Sequence, residues 1–204
     1  MRRTTGAFFT LIYILLIAGC GAKHPPFDPL SEDAVILAFG DSLTFGTGVK
    51  PEHSYPAVLQ KLTGRKIINA GVPGEVTGKG VERLPALLEK HSPDLLILIH
   101  GGNDMLRKKD LGIAVDNLRS MIEMARSNDI PVIMMAVPNP TLILSPAEFY
   151  EELADGMNVP IEVDAISDIL QYPGNKSDGV HPNAKGYRMM AESLHQLLQS
   201  LKAI

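Results

Sequence analysis

Five short runs of aliphatic residues recur along the chain, separated by polar loops and by segments with helical periodicity. Residues 34–39 read Ala-Val-Ile-Leu-Ala-Phe, an unbroken apolar run of the kind found in strands buried on both faces. Further strands are predicted at 66–70, 94–100, 131–137 and 159–163. Helices are predicted at 54–62, stopped by Gly64, and at 80–91, 112–128, 146–157, 165–170 and 183–201. In 112–128, Ile113, Val115, Leu118, Met121, Ile122 and Ala125 fall on one face, an amphipathic spacing. Pro85 is expected in the first turn of its helix, where the missing N–H costs little. Strand alternates with helix throughout, which predicts a single α/β domain around a mainly parallel sheet covered on both faces. Sites in such sheets lie in loops at the carboxyl ends of the strands.

The amino terminus follows a different pattern. Arg2 and Arg3 precede an uncharged stretch, 6–19, whose strongly apolar part, 7–18, is short for a membrane-spanning helix of about 20 residues. A positive start, a short apolar segment and the small residues Ala18 and Gly19 read as a secretory signal at 1–19. Ile17-Ala18-Gly19-Cys20 resembles the bacterial lipobox, which implies a lipidated Cys20 as the first mature residue. Thr4, Thr5 and Gly6 after the arginines favour general secretion over the twin-arginine route. Residues 20–33, with Pro25, Pro26 and Pro29, read as a semi-extended tether, and 34–204 as the domain. Gly21, where an aspartate marks inner-membrane retention, favours an outer-membrane lipoprotein facing the periplasm.

Composition narrows the chemistry. The chain has 204 residues, 45% hydrophobic and 21% charged, with a formal charge of -4, which excludes global disorder and nucleic-acid binding driven by overall charge. Its one cysteine excludes an intramolecular disulfide and any multi-cysteine zinc site. His24, His53, His91 and His195 show no metal-ligand spacing, so no metal and no organic cofactor is expected. A monomer is the favoured state.

Four loops carry suggestive residues. Gly40-Asp41-Ser42-Leu43 follows the first predicted strand, Gly71 the second, and Gly101-Gly102-Asn103-Asp104 the third, while Asp178-Gly179-Val180-His181 precedes the last helix. A serine hydroxyl needs a positioned base to act as a nucleophile. His181 can serve if a carboxylate holds its other nitrogen, and Asp178 lies within one turn of it. A substrate carbonyl attacked by Ser42 becomes an oxyanion, for which the N–H groups of Ser42 and Gly71 and the Asn103 amide are candidate donors. Asp41 and Asp104 are expected to brace loops, and His100 to be a packed, hydrogen-bonded histidine. Leu142, Ile143 and Leu144, after the fourth strand, are candidates for an apolar acyl-binding wall, and Arg107 for a contact with anionic substrate.

In this order the blocks resemble the SGNH (GDSL) hydrolase family, named for a serine, glycine, asparagine and histidine. Here these are Ser42, Gly71, Asn103 and His181, with Asp178 completing the triad. The stretches 80–88, 100–107 and 178–183 are similar to the thioesterase I, lysophospholipase and arylesterase branch. The resemblance spans roughly 34–200. It implies a flavodoxin-like α/β/α sandwich with five central parallel strands, and a serine esterase cleaving esters or thioesters through an acyl-enzyme, with medium or long acyl esters, lysophospholipids or aryl esters as substrates. The ordinary α/β-hydrolase elbow, Gly-x-Ser-x-Gly, does not fit, because Thr44 stands at its last glycine. An envelope carbohydrate O-acetylesterase and a non-catalytic binding lipoprotein are the alternative readings. Activity is expected to rise with pH, because the reaction needs a neutral imidazole as its base.

Overall fold

A computed structural model describes residues 27–141 and 144–204. The predicted signal peptide, Cys20 and the tether up to residue 26 lie outside the described residues, as do Leu142 and Ile143.

In chain order the elements are β1 (Val35–Gly40), α1 (Ser42–Phe45), α2 (Tyr55–Thr63), β2 (Lys66–Gly71), α3 (Thr77–His91), β3 (Leu95–Ile99), α4 (Gly102–Leu106) and α5 (Leu111–Arg126). They continue with β4 (Val132–Met135), α6 (Phe149–Met157), β5 (Ile161–Glu162), α7 (Ala165–Gln171) and α8 (Ala184–Ser200). The five strands form one sheet in the order β2-β1-β3-β4-β5, and every pair is parallel. The connection from β1 to β2 runs one way across the sheet and the later ones run the other way. Right-handed crossovers then put α2 on one face and α3, α5 and α6 on the other. The helix contacts agree: α2 and α7 pack against α8, while α3 and α6 pack against α5.

Strand composition follows position. The central strand β3, Leu-Leu-Ile-Leu-Ile, is fully buried, and each such side chain contributes roughly 1.5–3 kcal/mol relative to exposure. Edge strand β2 is only half-buried and carries Lys66 and Asn69. All strands start at the same end of the sheet. There Phe27 and Leu30 donate backbone hydrogen bonds to Leu201 (3.2 Å) and Ala203 (2.8 Å), and Asp94, just before β3, accepts from the Val35 N–H at 2.7 Å. The opposite, carboxyl end carries the loops singled out above. Among the described residues no helix is long and apolar enough to cross a membrane.

Three local expectations are corrected. Helix α3 begins at Thr77, so Pro85 lies inside it and not in its first turn. The early start has a non-local cause: Asp104 accepts from both the Thr77 N–H and its hydroxyl at 2.9 Å, capping a helix whose own Val76 offers no side-chain cap. The helix expected at 146–157 starts only at Phe149, because Pro146 pairs with Pro138 in an isolated antiparallel bridge. Finally, α1 and α4 were not anticipated; with four and five residues they are too short to leave a periodic pattern.

Candidate active site

The chain leaves β1 at Gly40 and turns directly into α1. The Asp41 carboxylate accepts the Leu43 N–H at 3.1 Å, a side-chain cap that sets Ser42 as the first helical residue. Buried Thr44 and Tyr55 join hydroxyls at 3.3 Å, pinning α1 to α2. Burial raises the Asp41 carboxyl above its ordinary range, although the Leu43 N–H and the Asn103 amide both favour its charged form.

At the other end of the sequence, a hairpin-like loop carries His181. Lys176 and Pro182 form an antiparallel bridge, Ser177 N–H donates to the His181 carbonyl at 2.9 Å, and Asn183 caps α8 through the N–H groups of Lys185 and Gly186. Asp178 closes this loop on itself. One carboxylate oxygen accepts the N–H groups of Val180 (2.8 Å) and His181 (2.9 Å), and the other lies 2.7 Å from His181 Nδ1. His181 Nε2 lies 2.9 Å from Ser42 Oγ. With Nδ1 donating to the carboxylate, Nε2 is left as the acceptor for the serine proton, a tautomer assigned from the network. The slight burial of Asp178 favours the neutral acid, but the His181 side chain and the two loop N–H groups outweigh it and hold the carboxyl below its usual range.

Of the three residues expected to offer donors, Ser42 and Asn103 line the cleft and Gly71 does not. Its N–H is given to the Asn69 side chain at 3.0 Å, and a Cβ there would collide with the Phe45 backbone, so its small size serves the packing of α1 on β2. Gly74 lines the cleft instead. It sits at φ +76°, and the Glu75 N–H returns to the Val72 carbonyl at 3.1 Å. Pro73 followed by a positive-φ glycine is the signature of a type II turn. That turn closes through the Glu75 N–H, so the Gly74 N–H takes no part in it. The Pro73-Gly74 dipeptide was the sequence signal for this position. Asn103 gives one amide hydrogen to Asp41 at 3.0 Å and has a second to offer.

A cavity of about 250 Å³ opens beside Ser42, His181, Gly74 and Asn103, walled by Leu106, Val137, Pro138, Pro140, Leu170 and Val180. Leu144 joins this wall, while Leu142 and Ile143 lie outside the described residues. Arg107 is not part of the lining. Its guanidinium donates to the Gly74 carbonyl at 2.7 Å, so the residue expected to meet substrate braces the glycine turn.

Behind the turn lies a second charged group that sequence reasoning missed. Arg83 grips Glu75 with Nε at 2.9 Å and Nη2 at 2.6 Å, and its cation stands 4.2 Å over the Phe39 ring. His100, with a fully buried side chain, accepts the Gly101 N–H on Nδ1 at 3.0 Å. Its Nε2 is then the donor to Glu75, at 3.2 Å. Burial alone would raise the Glu75 carboxyl, but the His100 and Arg83 hydrogen bonds and the Arg83 charge hold it at about 2.

A serine at the carboxyl end of a flavodoxin-like parallel sheet, with an Asp-x-x-His loop reaching it from before the last helix, defines a serine hydrolase of the SGNH type. The GDSL-like Lipase/Acylhydrolase family profile matches residues 38–189, and the chain belongs to that family; its activity is that of an esterase or acylhydrolase. It is 31% identical over 177 residues to an arylesterase of Vibrio mimicus, covering 80% of this chain and 87% of that one. It is 27% identical over 174 residues to the thioesterase 1/protease 1/lysophospholipase L1 of Escherichia coli K12, covering 81% and 84%. The fold matches the crystal structure of the psychrotrophic esterase EstA from Pseudoalteromonas sp. with a TM-score of 0.73, at 24% identity, over 82% of this chain and 97% of that one.

Proposed function

We propose that the protein hydrolyses carboxylic esters of short to medium acyl or aryl groups, with Ser42, His181 and Asp178 as its catalytic triad. The reading is carried by the continuous hydrogen-bonded line from Asp178 through His181 to Ser42, at 2.7 and 2.9 Å, on the wall of an apolar cavity. His181 takes the Ser42 proton as Oγ attacks the ester carbonyl. The resulting oxyanion is met by the N–H groups of Ser42 and Gly74 and the Asn103 amide. The intermediate collapses to an acyl-enzyme as His181 protonates the departing alcohol, and water reverses the sequence to release the acid.

The cavity, about 250 Å³, sits just below the roughly 300–1,000 Å³ of common ligand pockets, which favours one compact acyl or aryl group over an enclosed long chain. Its aliphatic and proline lining speaks against a carbohydrate O-acetylesterase. In a series of p-nitrophenyl esters from acetate to palmitate, with lysophosphatidylcholine alongside, kcat/KM is expected to peak between butyrate and octanoate. A Ser42→Ala variant that keeps its activity would remove the mechanism, and a peak at palmitate would remove the acyl assignment.

We further propose that Cys20 carries a lipid anchor in the bacterial envelope, in keeping with the lipobox-like 17–20. Radiolabelled palmitate is expected to enter the wild-type chain and not Cys20→Ala.

A further inference from the structure

We propose that Glu75, held by Arg83 and His100, is a positioning residue that sets the mutual placement of the three oxyanion donors. The proposal rests on the oxyanion reading of Ser42, Gly74 and Asn103 given above.

Each donor leaves the sheet on a different loop, and the clamp touches all three. Glu75 directly follows Gly74, so the carboxylate anchors the closing residue of the type II turn. Arg83 reaches the first loop, with its cation over Phe39 at 4.2 Å and Nη2 at 3.5 Å from the Gly40 carbonyl, just before Asp41 and Ser42. His100 directly follows β3 and opens the third loop, and its ring binds both Glu75 and the Gly101 N–H, two residues before Asn103. Tyr150 holds the His100 carbonyl at 2.7 Å. From outside, Arg107 fixes the Gly74 carbonyl, so the turn is held on two sides.

The chemistry suits a spacer. A paired guanidinium and carboxylate joined by two hydrogen bonds specify direction as well as distance. Such a largely buried pair adds little net stability over an apolar filling of the same shape, whereas a catalytic donor displaced by about 1 Å can cost roughly 10²-fold in rate. The Glu75 side chain is 7% exposed and that of His100 0%, while Arg83 is 25% exposed, so the clamp is buried at its carboxylate and opens to solvent only at the guanidinium.

The test uses the full-length chain in detergent with p-nitrophenyl butyrate as probe, comparing wild type, Glu75→Ala, Glu75→Gln, Asn103→Ala and the double variant Glu75→Ala/Asn103→Ala. Thermal midpoints are measured in parallel, and kinetics are run well below each midpoint. Glu75→Ala is expected to lose roughly ten- to a hundredfold in kcat with KM changed less than about twofold, while Glu75→Gln, which keeps the shape, recovers part of the loss. The double variant is expected to lose less than the product of the two single losses, because a displaced donor set has less left to remove. Should Glu75→Ala fail to fold, Glu75→Gln and Arg83→Met carry the comparison. A lowered midpoint with wild-type kcat in the Glu75 variants, or strictly multiplicative losses, overturns the clamp while leaving the donors in place. Full kcat in Asn103→Ala removes the oxyanion reading itself, and the clamp with it.

Discussion

Two carboxylate–histidine pairs stand within one site and do opposite work. In the Asp178–His181 pair the carboxylate side chain is 52% exposed and the imidazole 17%; one ring nitrogen is held at 2.7 Å and the other points at a hydroxyl. In the Glu75–His100 pair both side chains are buried, and both ring nitrogens are consumed by fixed protein partners. The residue types are similar, so the difference lies in what the second nitrogen faces. A histidine with one nitrogen oriented and one open to a reacting group can carry a proton. A histidine with both nitrogens occupied holds backbone in place.

Exchanging each histidine tests this contrast most severely. His181→Ala is expected to lower kcat by about 10⁵–10⁶-fold, as Ser42→Ala should, with a thermal midpoint close to wild type. His100→Ala should do the reverse. It leaves the Gly101 N–H short of its partner at a cost of about 2–3 kcal/mol, lowering the midpoint by roughly 5–10 °C, with a rate loss several orders smaller. Next in size is Asp178→Asn, which removes the charge that orients His181. Steady-state kinetics are expected to show a kcat loss of about 10³–10⁴-fold, and calorimetry almost no change. The smallest effect is on acid stability. The Glu75 carboxyl stands at about 2 in the fold against an ordinary 4.5, so its contribution is complete above pH 4.5 and is lost as pH falls from 4.5 towards 2. Urea midpoints at pH 6, 4 and 3 should therefore converge between wild type and Glu75→Gln as the solution is acidified.

The contrast also explains which parts of the molecule could be read in advance. Asp178 and His181 are three residues apart, and Ser42 follows an apolar strand, so local patterns were enough to name them. The Glu75–His100 pair spans 25 positions and draws Arg83 from a helix face, and no local pattern joins them. The same holds for Asp104, which caps α3 from 27 positions away and so moves Pro85 into the helix interior. The glycine error has another cause. Gly71 ends β2 and Gly74 lies three residues on, and only the three-dimensional path shows that the first is pressed against Phe45 while the second lines the cleft. Arg107, expected to contact substrate, binds the Gly74 carbonyl instead, a partner that only the shape of the Gly74 turn reveals.

One feature at the far end of the sheet separates the entry of the chain from the chemistry. Phe27 and Leu30 join the domain beside Leu201 and Ala203, at the ends where the strands begin, whereas Ser42 lies where β1 ends. β1 alone, with its six residues, sets these poles about 20 Å apart. The chain ahead of Phe27 therefore enters the domain at the pole opposite the serine.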